Sequence, residues 1–276
     1  MSTTKSTPSP PSNGWRIPPS ICRLPLELIS YIIALSLPEA WQTGKRLKAL
    51  YATRTVSNTW RDAIDSTPSL WCAVGDGVPF HVNSTSIQRS GSYPLDVYIA
   101  RRSPESRLAM KQDPIELIEL VAREIRRWST VTLRLPSPEV CSSYLTSPAP
   151  RLRNLTVIWK HWDGYTTTVN LFGGIAPRLE TLKVERVPID WNSSFIHGLR
   201  ELELSDMIDE QISTQQVLDI LASAPLLNRL GICNSFVEDD PQPFQIRPPI
   251  IQLPNMNTIH FEYLELKAVE IILSSI

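Results

Sequence analysis

Residues 177–184 read Pro-Arg-Leu-Glu-Thr-Leu-Lys-Val, and variants of this octet recur along the chain. Each variant carries three apolar anchors, and the second and third anchors alternate with polar residues. This alternation predicts a strand with one buried face. The first anchors of the six copies are Trp128, Leu152, Leu179, Leu199, Leu227 and Met256. They lie 24, 27, 20, 28 and 29 residues apart, so the sequence predicts a repeated structural unit.

The segments between the predicted strands carry helical signals. Asp113-Pro114 is typical of a helix start, because aspartate caps a helix and proline fits its first turn. Thr214 is expected to cap another helix, and residues 264–273 are expected to form a further one. A strand, a crossover helix and a parallel strand make a right-handed unit, so the pattern predicts an α/β fold with parallel strands. Residues 69–112 are expected to add strands at 70–74 and 95–100.

The N-terminal region carries a different pattern. Residues 24–29 read Leu-Pro-Leu-Glu-Leu-Ile, and apolar residues continue at helical spacing towards Pro38. Residues 45–57 predict a second helix, and the stretch around Trp60 predicts a short third helix that ends at Pro68. Three short helices cannot bury all of this apolar surface alone. One apolar stripe is therefore expected to contact a partner or the rest of the chain.

Three motifs in this region resemble an F-box in their order. They are Leu-Pro-x-Glu-Leu-Ile at 24–29, Val-x-x-x-Trp-Arg at 56–61 and Pro-Ser-Leu-Trp at 68–71, and the resemblance covers residues 22–72. It implies a substrate-recognition adaptor of a cullin-type (Skp/cullin/F-box) ubiquitin ligase. By motif, the contacts with the Skp-type adaptor would be Leu24, Pro25, Glu27, Leu28, Ile32, Ile33 and Trp60. The segment 38–44 departs from the family, because it is longer than the tightest linkers.

Two alternatives to this interpretation stay open. The three helices could form a cap that packs only against the rest of their own chain. The chain could also be an F-box-like interaction scaffold without a role in a ubiquitin ligase.

The repeats resemble the degenerate leucine-rich repeats that accompany F-boxes, with a period of about 20–29 residues. Regular repeats place asparagine eight residues after the first anchor, whereas this chain has Lys160, Val187, Met207, Ser235 and Leu264 there. The resemblance implies an irregular leucine-rich-repeat-like solenoid with parallel strands, and an open α/β sheet is the alternative. The expected organisation is a disordered Ser/Thr/Pro-rich tail at 1–20, the F-box at 21–68 and the solenoid at 69–276, with a blunt or truncated end.

Strand residues between the anchors are expected to point away from the core. In the implied receptor they would form two adjacent rows on the surface that holds an unknown target protein, with Lys183 and Glu203 as cross-strand neighbours. The candidate target-binding residues are Thr156, Lys183, Glu201, Glu203, Arg229 and His260. The alternative is that these are ordinary solvated strand residues.

Composition and motifs argue against several other functions. A net charge of −1 gives no electrostatic attraction to nucleic acid or an anionic membrane. There is no apolar run of transmembrane length and no apolar signal core, and the four cysteines are typical of a reducing compartment. We therefore expect a cytoplasmic or nuclear protein. No catalytic, cofactor or metal motif is recognisable, so we expect no enzyme. Residues 159–165 are interpreted as structural packing, with partner contact as the alternative.

Overall fold

The computed structural model describes residues 24–100, 114–135, 143–159, 168–207, 212–234, 237–238 and 250–276. Its main element is an open sheet of eight parallel strands, which confirms the α/β class expected from the repeats. The strands, including two short ones outside this sheet, are β1 (Ala73–Gly75), β2 (Leu95–Ile99), β3 (Trp128–Leu135), β4 (Asn154–Trp159), β5 (Thr181–Glu185), β6 (Glu201–Ser205), β7 (Ile212–Ser213), β8 (Arg229–Cys233), β9 (Val237–Glu238) and β10 (Thr258–Glu262). The predicted tail at 1–20 lies outside the described residues.

The strands of this sheet lie side by side in the order in which they occur along the chain. The order is β1-β2-β3-β4-β5-β6-β8-β10, and every pairing is parallel. The short strands β7 and β9 pair with each other in a separate two-stranded sheet. Because the order never reverses, the chain winds along the sheet in one direction. A doubly wound sheet differs in this respect, since its strand order reverses near the middle.

Seven α-helices lie in the described part of the chain. They are α1 (Leu26–Ser36), α2 (Thr43–Thr53), α3 (Asn58–Asp65), α4 (Phe80–Arg89), α5 (Pro114–Ala122), α6 (Thr214–Ser223) and α7 (Leu266–Ser275). Short 3-10 helices span Pro68–Trp71, Ile125–Arg127, Leu171–Gly174 and Ser194–Gly198. None of the helices described has the length and apolar character needed to cross a membrane.

A proline turn leads into four of the strands. In each turn the backbone N–H of the first anchor donates to a carbonyl three residues earlier. These bonds are Leu152 N to Ala149 O at 3.2 Å, Leu179 N to Ala176 O at 3.0 Å, Leu227 N to Ala224 O at 3.1 Å and Met256 N to Leu253 O at 3.0 Å. Proline presets the φ angle that the second turn position needs. This explains the recurring prolines at 150, 177, 225 and 254.

A residue in the left-handed backbone conformation follows four of the strands. The φ angles are 60° at Arg186, 52° at Asp206, 46° at Asn234 and 53° at Tyr263. The first three donate their backbone N–H to the carbonyl at the end of the next strand, in the pairs Arg186–Ser205, Asp206–Cys233 and Asn234–Glu262. Asp206 also forms an ion pair with Arg186 and accepts a 2.6 Å hydrogen bond from Asn234 Nδ2. Successive units therefore leave the sheet in the same way.

Two separate apolar clusters form the interior. The larger cluster lies on one side of the sheet and includes strand anchors such as Leu182, which is 0% exposed. The smaller cluster joins α1, α2 and α3 to the segment that follows them. Its buried members are Ile29, Ile33, Leu47, Leu50, Ala63, Ile64, Leu70, Trp71 and Val78. Between the anchors, strand residues remain partly exposed on the opposite face of the sheet.

Closely packed glycines lie where α2 meets the turn after β1 and where β1 pairs with β2. A Cβ atom on Gly44 would lie 2.6 Å from Gly77 O, and one on Gly75 would lie 2.2 Å from Tyr98 O. Only a residue without a side chain allows this approach. Asn83 closes the outer edge of β1, since its side chain accepts from Gly75 N at 3.0 Å and donates to Gly75 O at 2.9 Å.

The prediction of a strand at 70–74 is wrong for its first half. Pro68–Trp71 is a 3-10 helix, and β1 begins only at Ala73. The ring of Pro68 fixes a helical φ angle. The indole of Trp71 is buried and donates to Ile64 O at 3.0 Å, which holds this turn against α3. The second predicted strand, at 95–100, is confirmed as β2.

Several helices differ from the sequence expectation. Helix α2 spans Thr43–Thr53 rather than 45–57, and α7 spans Leu266–Ser275 rather than 264–273. The sequence pattern does not predict helix α4. Its buried positions include the polar residues Asn83 and Ser86, so the helix shows no apolar stripe. Helix α6 is capped by Ser213 and begins at Thr214, so the predicted cap is displaced by one residue. Ser213 and Gln216 form a reciprocal capping box, in which each side chain accepts from the other residue's backbone N–H.

Candidate partner-binding surfaces

Helix α1 presents large apolar side chains to solvent. The side that carries Ile29 and Ile33 is buried in the smaller apolar cluster, and the exposed Leu26 begins that same side at the first turn. The exposed members, together called the helical face, are Leu26 (40% exposed), Leu28 (50%), Tyr31 (62%), Ile32 (39%) and Leu35 (70%). Leu28, Ile32 and Leu35 are spaced four and three residues apart, so they lie along one side of the helix. A cluster of exposed apolar side chains is typical of an interaction site.

An open groove of about 430 Å³ lies between α1 and the segment after α3. The hydroxyls of Ser30 and Thr67 share a 2.8 Å hydrogen bond there, and Ser30 Oγ also donates to Ala63 O at 3.2 Å. These bonds tie α1 to α3. The groove is lined by Leu26, Glu27, Ser30, Tyr31, Ala34, Ser66, Thr67 and Ser69.

The seven residues predicted to contact an adaptor fall into three groups. The exposed residues are Pro25, Glu27, Leu28 and Ile32. Leu24 and Trp60 are half-buried against the smaller apolar cluster. Ile33 is 0% exposed and belongs to the core itself, so it is not available on this surface. The motif does not single out Tyr31 or Leu35 as contacts, although the helical spacing places Leu35 on the same side as Leu28.

The residues between the anchors form two rows, as the repeat pattern predicts. Each row crosses the six strands from β3 to β10 in the main sheet. The register aligns Thr130, Asn154, Thr181, Glu201, Arg229 and Thr258 in one row. It aligns Thr132, Thr156, Lys183, Glu203, Gly231 and His260 in the other. These two rows are called the sheet face, and they contain all six candidate target-binding residues. Gly231 is the one member that is buried.

Lys183 and Glu203 form the expected cross-strand ion pair. The distance from Lys183 Nζ to Glu203 Oε2 is 2.6 Å, and the side chains are 43% and 40% exposed. Because solvent screens a pair this exposed, it contributes at most about 1 kcal/mol to stability. The pair does more to fix the positions of two charges on the sheet face than to hold the sheet together.

A pocket of about 270 Å³ opens on the sheet face over β6, β8 and β10. Gly231 lies at the middle of this region, between Glu203 and His260 in the same row, and its missing side chain leaves the space. The wall contains Lys183, Glu201, Leu202, Glu203, Arg229, Gly231, Cys233, His260 and Glu262. Five of the six candidate target-binding residues therefore meet in one pocket.

The pocket also contains two residues that sequence reasoning did not select. Cys233 and Glu262 are directly paired in the register of β8 and β10, one step beyond the two rows. The sulfur of Cys233, a ring nitrogen of His260 and a carboxylate oxygen of Glu262 lie within 4.8 Å of one another. Burial, reinforced by the carboxylates of Glu262, Glu203 and Asp206, raises the pKa of the Cys233 thiol. Two of these carboxylates, Glu203 and Asp206, are also ion-paired with Lys183 and Arg186.

The aromatic segment at 159–165 is described only at its first residue. Trp159 is 1% exposed and belongs to the larger apolar cluster, as the packing interpretation expects for this position. The other residues of that segment lie outside the described part of the chain.

No protein-family model and no curated protein matches this sequence.

Proposed function

We propose that this chain is a substrate-recognition subunit of a cullin-type ubiquitin ligase. Its N-terminal helices would act as an F-box that binds a Skp-type adaptor, and the sheet face would hold a target protein. The observation that carries the proposal is the helical face, where α1 exposes five large apolar side chains. It occurs in the segment whose motifs resemble an F-box. A cap that served only its own chain would turn these side chains inward.

Burial of the helical face would supply much, but not all, of the binding free energy that a micromolar complex needs. Complete burial of an aliphatic side chain gains about 1.5–3 kcal/mol, so half-exposed residues would gain about 1 kcal/mol each. The five side chains together would supply about 5 kcal/mol, whereas a micromolar complex needs about 8 kcal/mol. The groove beside α1 and polar contacts such as Glu27 would have to add the rest. Ile33 drops out of the proposed contact set because it lies in the core.

The architecture after the helices fits an irregular leucine-rich-repeat-like solenoid. One-way strand order, the repeated proline turn and the repeated left-handed exit all support this assignment. The alternative of an open α/β sheet shares the parallel strands, but its doubly wound form would require a reversal of strand order. In such a solenoid the strand surface is available for binding, and here that surface is the sheet face.

The sheet face favours a protein or peptide target with polar and charged groups. It combines carboxylates at Glu201 and Glu203 with cations at Lys183 and Arg229. Charges of both signs beside a pocket can pair with a defined pattern on a partner and disfavour other patterns.

The adaptor experiment uses the full chain and a purified Skp-type adaptor. Leu28→Ala combined with Leu35→Ala removes about 2 kcal/mol of apolar burial, so binding should weaken about 30-fold. Leu266→Ala is the matched control, because Leu266 is 74% exposed on α7, outside the helical face. A wild-type chain that binds no such adaptor would overturn the proposal. Adaptor binding without recruitment of a cullin would favour the scaffold alternative.

The target experiment compares proteins that co-purify with wild type and with a charge-reversed variant. Glu201→Lys, Glu203→Lys and Arg229→Glu should together remove a target while the adaptor is retained. Arg126→Glu is the matched control, since Arg126 is exposed outside the sheet face. Each protein lost from the variant is then purified and tested for direct binding. A variant that retains every direct partner would exclude the sheet face as the target site.

A further inference from the structure

We propose that Cys233, His260 and Glu262 form a binding site for a zinc-class divalent metal ion on the sheet face. This inference goes beyond the adaptor and target roles and does not depend on them. The three side chains supply one sulfur, one nitrogen and one oxygen ligand, a donor set that suits zinc. The sequence spacing does not predict this site, because Cys233 and His260 are 27 positions apart.

The distances are close to those that a tetrahedral ion requires. Zinc–ligand bonds of about 2.0–2.3 Å place ligand atoms about 3.3–3.8 Å apart. His260 Nε2 and Glu262 Oε2 are already 3.5 Å apart. All three ligand atoms lie within 4.8 Å of one another, so small side-chain rotations would complete the site.

The backbone holds the three positions in a fixed arrangement. Cys233 and Glu262 are register partners on adjacent parallel strands, and His260 is two residues before Glu262, so it points to the same face. β8 and β10 pair over all five of their residues. Just beyond the site, Asn234 N donates to Glu262 O at 2.8 Å. Ligands on paired strands need less ordering on binding than ligands on loops.

The surroundings supply further carboxylates and leave room for an ion. Glu203 and Asp206 add two further carboxylates near Cys233, and their own partners Lys183 and Arg186 hold them in place. Gly231 keeps the neighbouring space open, which gives the pocket of about 270 Å³. With three protein ligands, a zinc ion would keep one coordination position for water or for a group from a bound partner.

The test titrates zinc into the full chain under reducing conditions, in competition with a chromophoric chelator. Cobalt(II) serves as a second probe, because a cobalt–thiolate bond gives a characteristic charge-transfer absorption. Wild type should bind zinc and show this absorption. Cys233→Ser should abolish the absorption, and His260→Gln and Glu262→Gln should each weaken zinc binding at least about 10-fold. Cys72→Ser and His197→Gln, which alter a thiol and an imidazole outside the site, should leave both signals unchanged.

Two results would overturn the site. One is a wild-type chain that does not compete with the chelator for zinc. The other is a Cys233→Ser chain with the affinity and absorption of wild type, which would place any bound ion at other residues. If Cys233→Ser fails to fold, His260→Gln and Glu262→Gln decide the question, because these side chains are 57% and 52% exposed. Adaptor binding is measured separately, so either proposal can fail without the other.

Discussion

Asn83→Ala should destabilise the junction between the helical region and the sheet. The Asn83 side chain is 0% exposed and pairs with both backbone polar groups of Gly75, the last residue of the edge strand β1. Alanine at this position would leave a buried N–H and a buried carbonyl without partners. Each buried polar group without a hydrogen-bond partner lowers stability by about 1–3 kcal/mol, so the free energy of unfolding should fall by about 2–6 kcal/mol.

The measurement is denaturant unfolding followed by circular dichroism, with Ser84→Ala as the matched control. Ser84 is the next residue of the same helix and is exposed. Its replacement should change the free energy of unfolding by no more than about 0.5 kcal/mol. Amide hydrogen exchange in β1 should also accelerate in Asn83→Ala, because the edge strand loses its lateral partner. Equal stability of the two variants would refute the assignment of Asn83 as the group that closes this edge.

Three further substitutions test other parts of the structure. Leu182→Ala should lower the free energy of unfolding by about 2–5 kcal/mol in a denaturant titration, since this anchor is fully buried. The control Leu35→Ala should lower it by less than about 0.5 kcal/mol. Equal losses of stability in the two variants would show that the repeat register is wrong. A double-mutant cycle on Lys183 and Glu203 should give a coupling of at most about 1 kcal/mol that declines with added salt, and a coupling that salt leaves unchanged would contradict the exposed geometry. Ser213→Ala should lower stability by about 1 kcal/mol through loss of the helix cap, and an unchanged unfolding midpoint would argue against the capping box.

The sequence predicts the strands well because their signal is local. An anchor such as Leu182 and its polar neighbour Lys183 alternate at the period of a strand, and this alternation alone assigns each residue to a face. The repeat then sets the register, because equivalent residues of parallel units lie side by side. For this reason the sequence alone predicts the ion pair between Lys183 and Glu203, which are 20 residues apart.

Other features escape prediction because their determinants are not local or not apolar. Helix α4 buries Asn83, whose role appears only when Gly75 is beside it. The residue with the left-handed backbone conformation after β6 is Asp206 rather than glycine, so the residue type does not predict this conformation. The cluster of Cys233 with His260 forms only through the register of β8 and β10. In each case the partner is supplied by tertiary structure.

The two candidate surfaces differ in chemistry for a reason that lies in their secondary structure. A helix with apolar residues around more than half of its circumference can bury one side and still expose Leu28 and Leu35 on the other. A strand has only two sides, so once the anchors occupy the core, the remaining side is free to carry charges such as Lys183 and Glu203. Contacts through the helical face should therefore depend little on ionic strength, whereas contacts through the sheet face should weaken as salt screens its charges. In the receptor proposed above, this difference would allow polar targets to be exchanged while an apolar connection to the adaptor is kept.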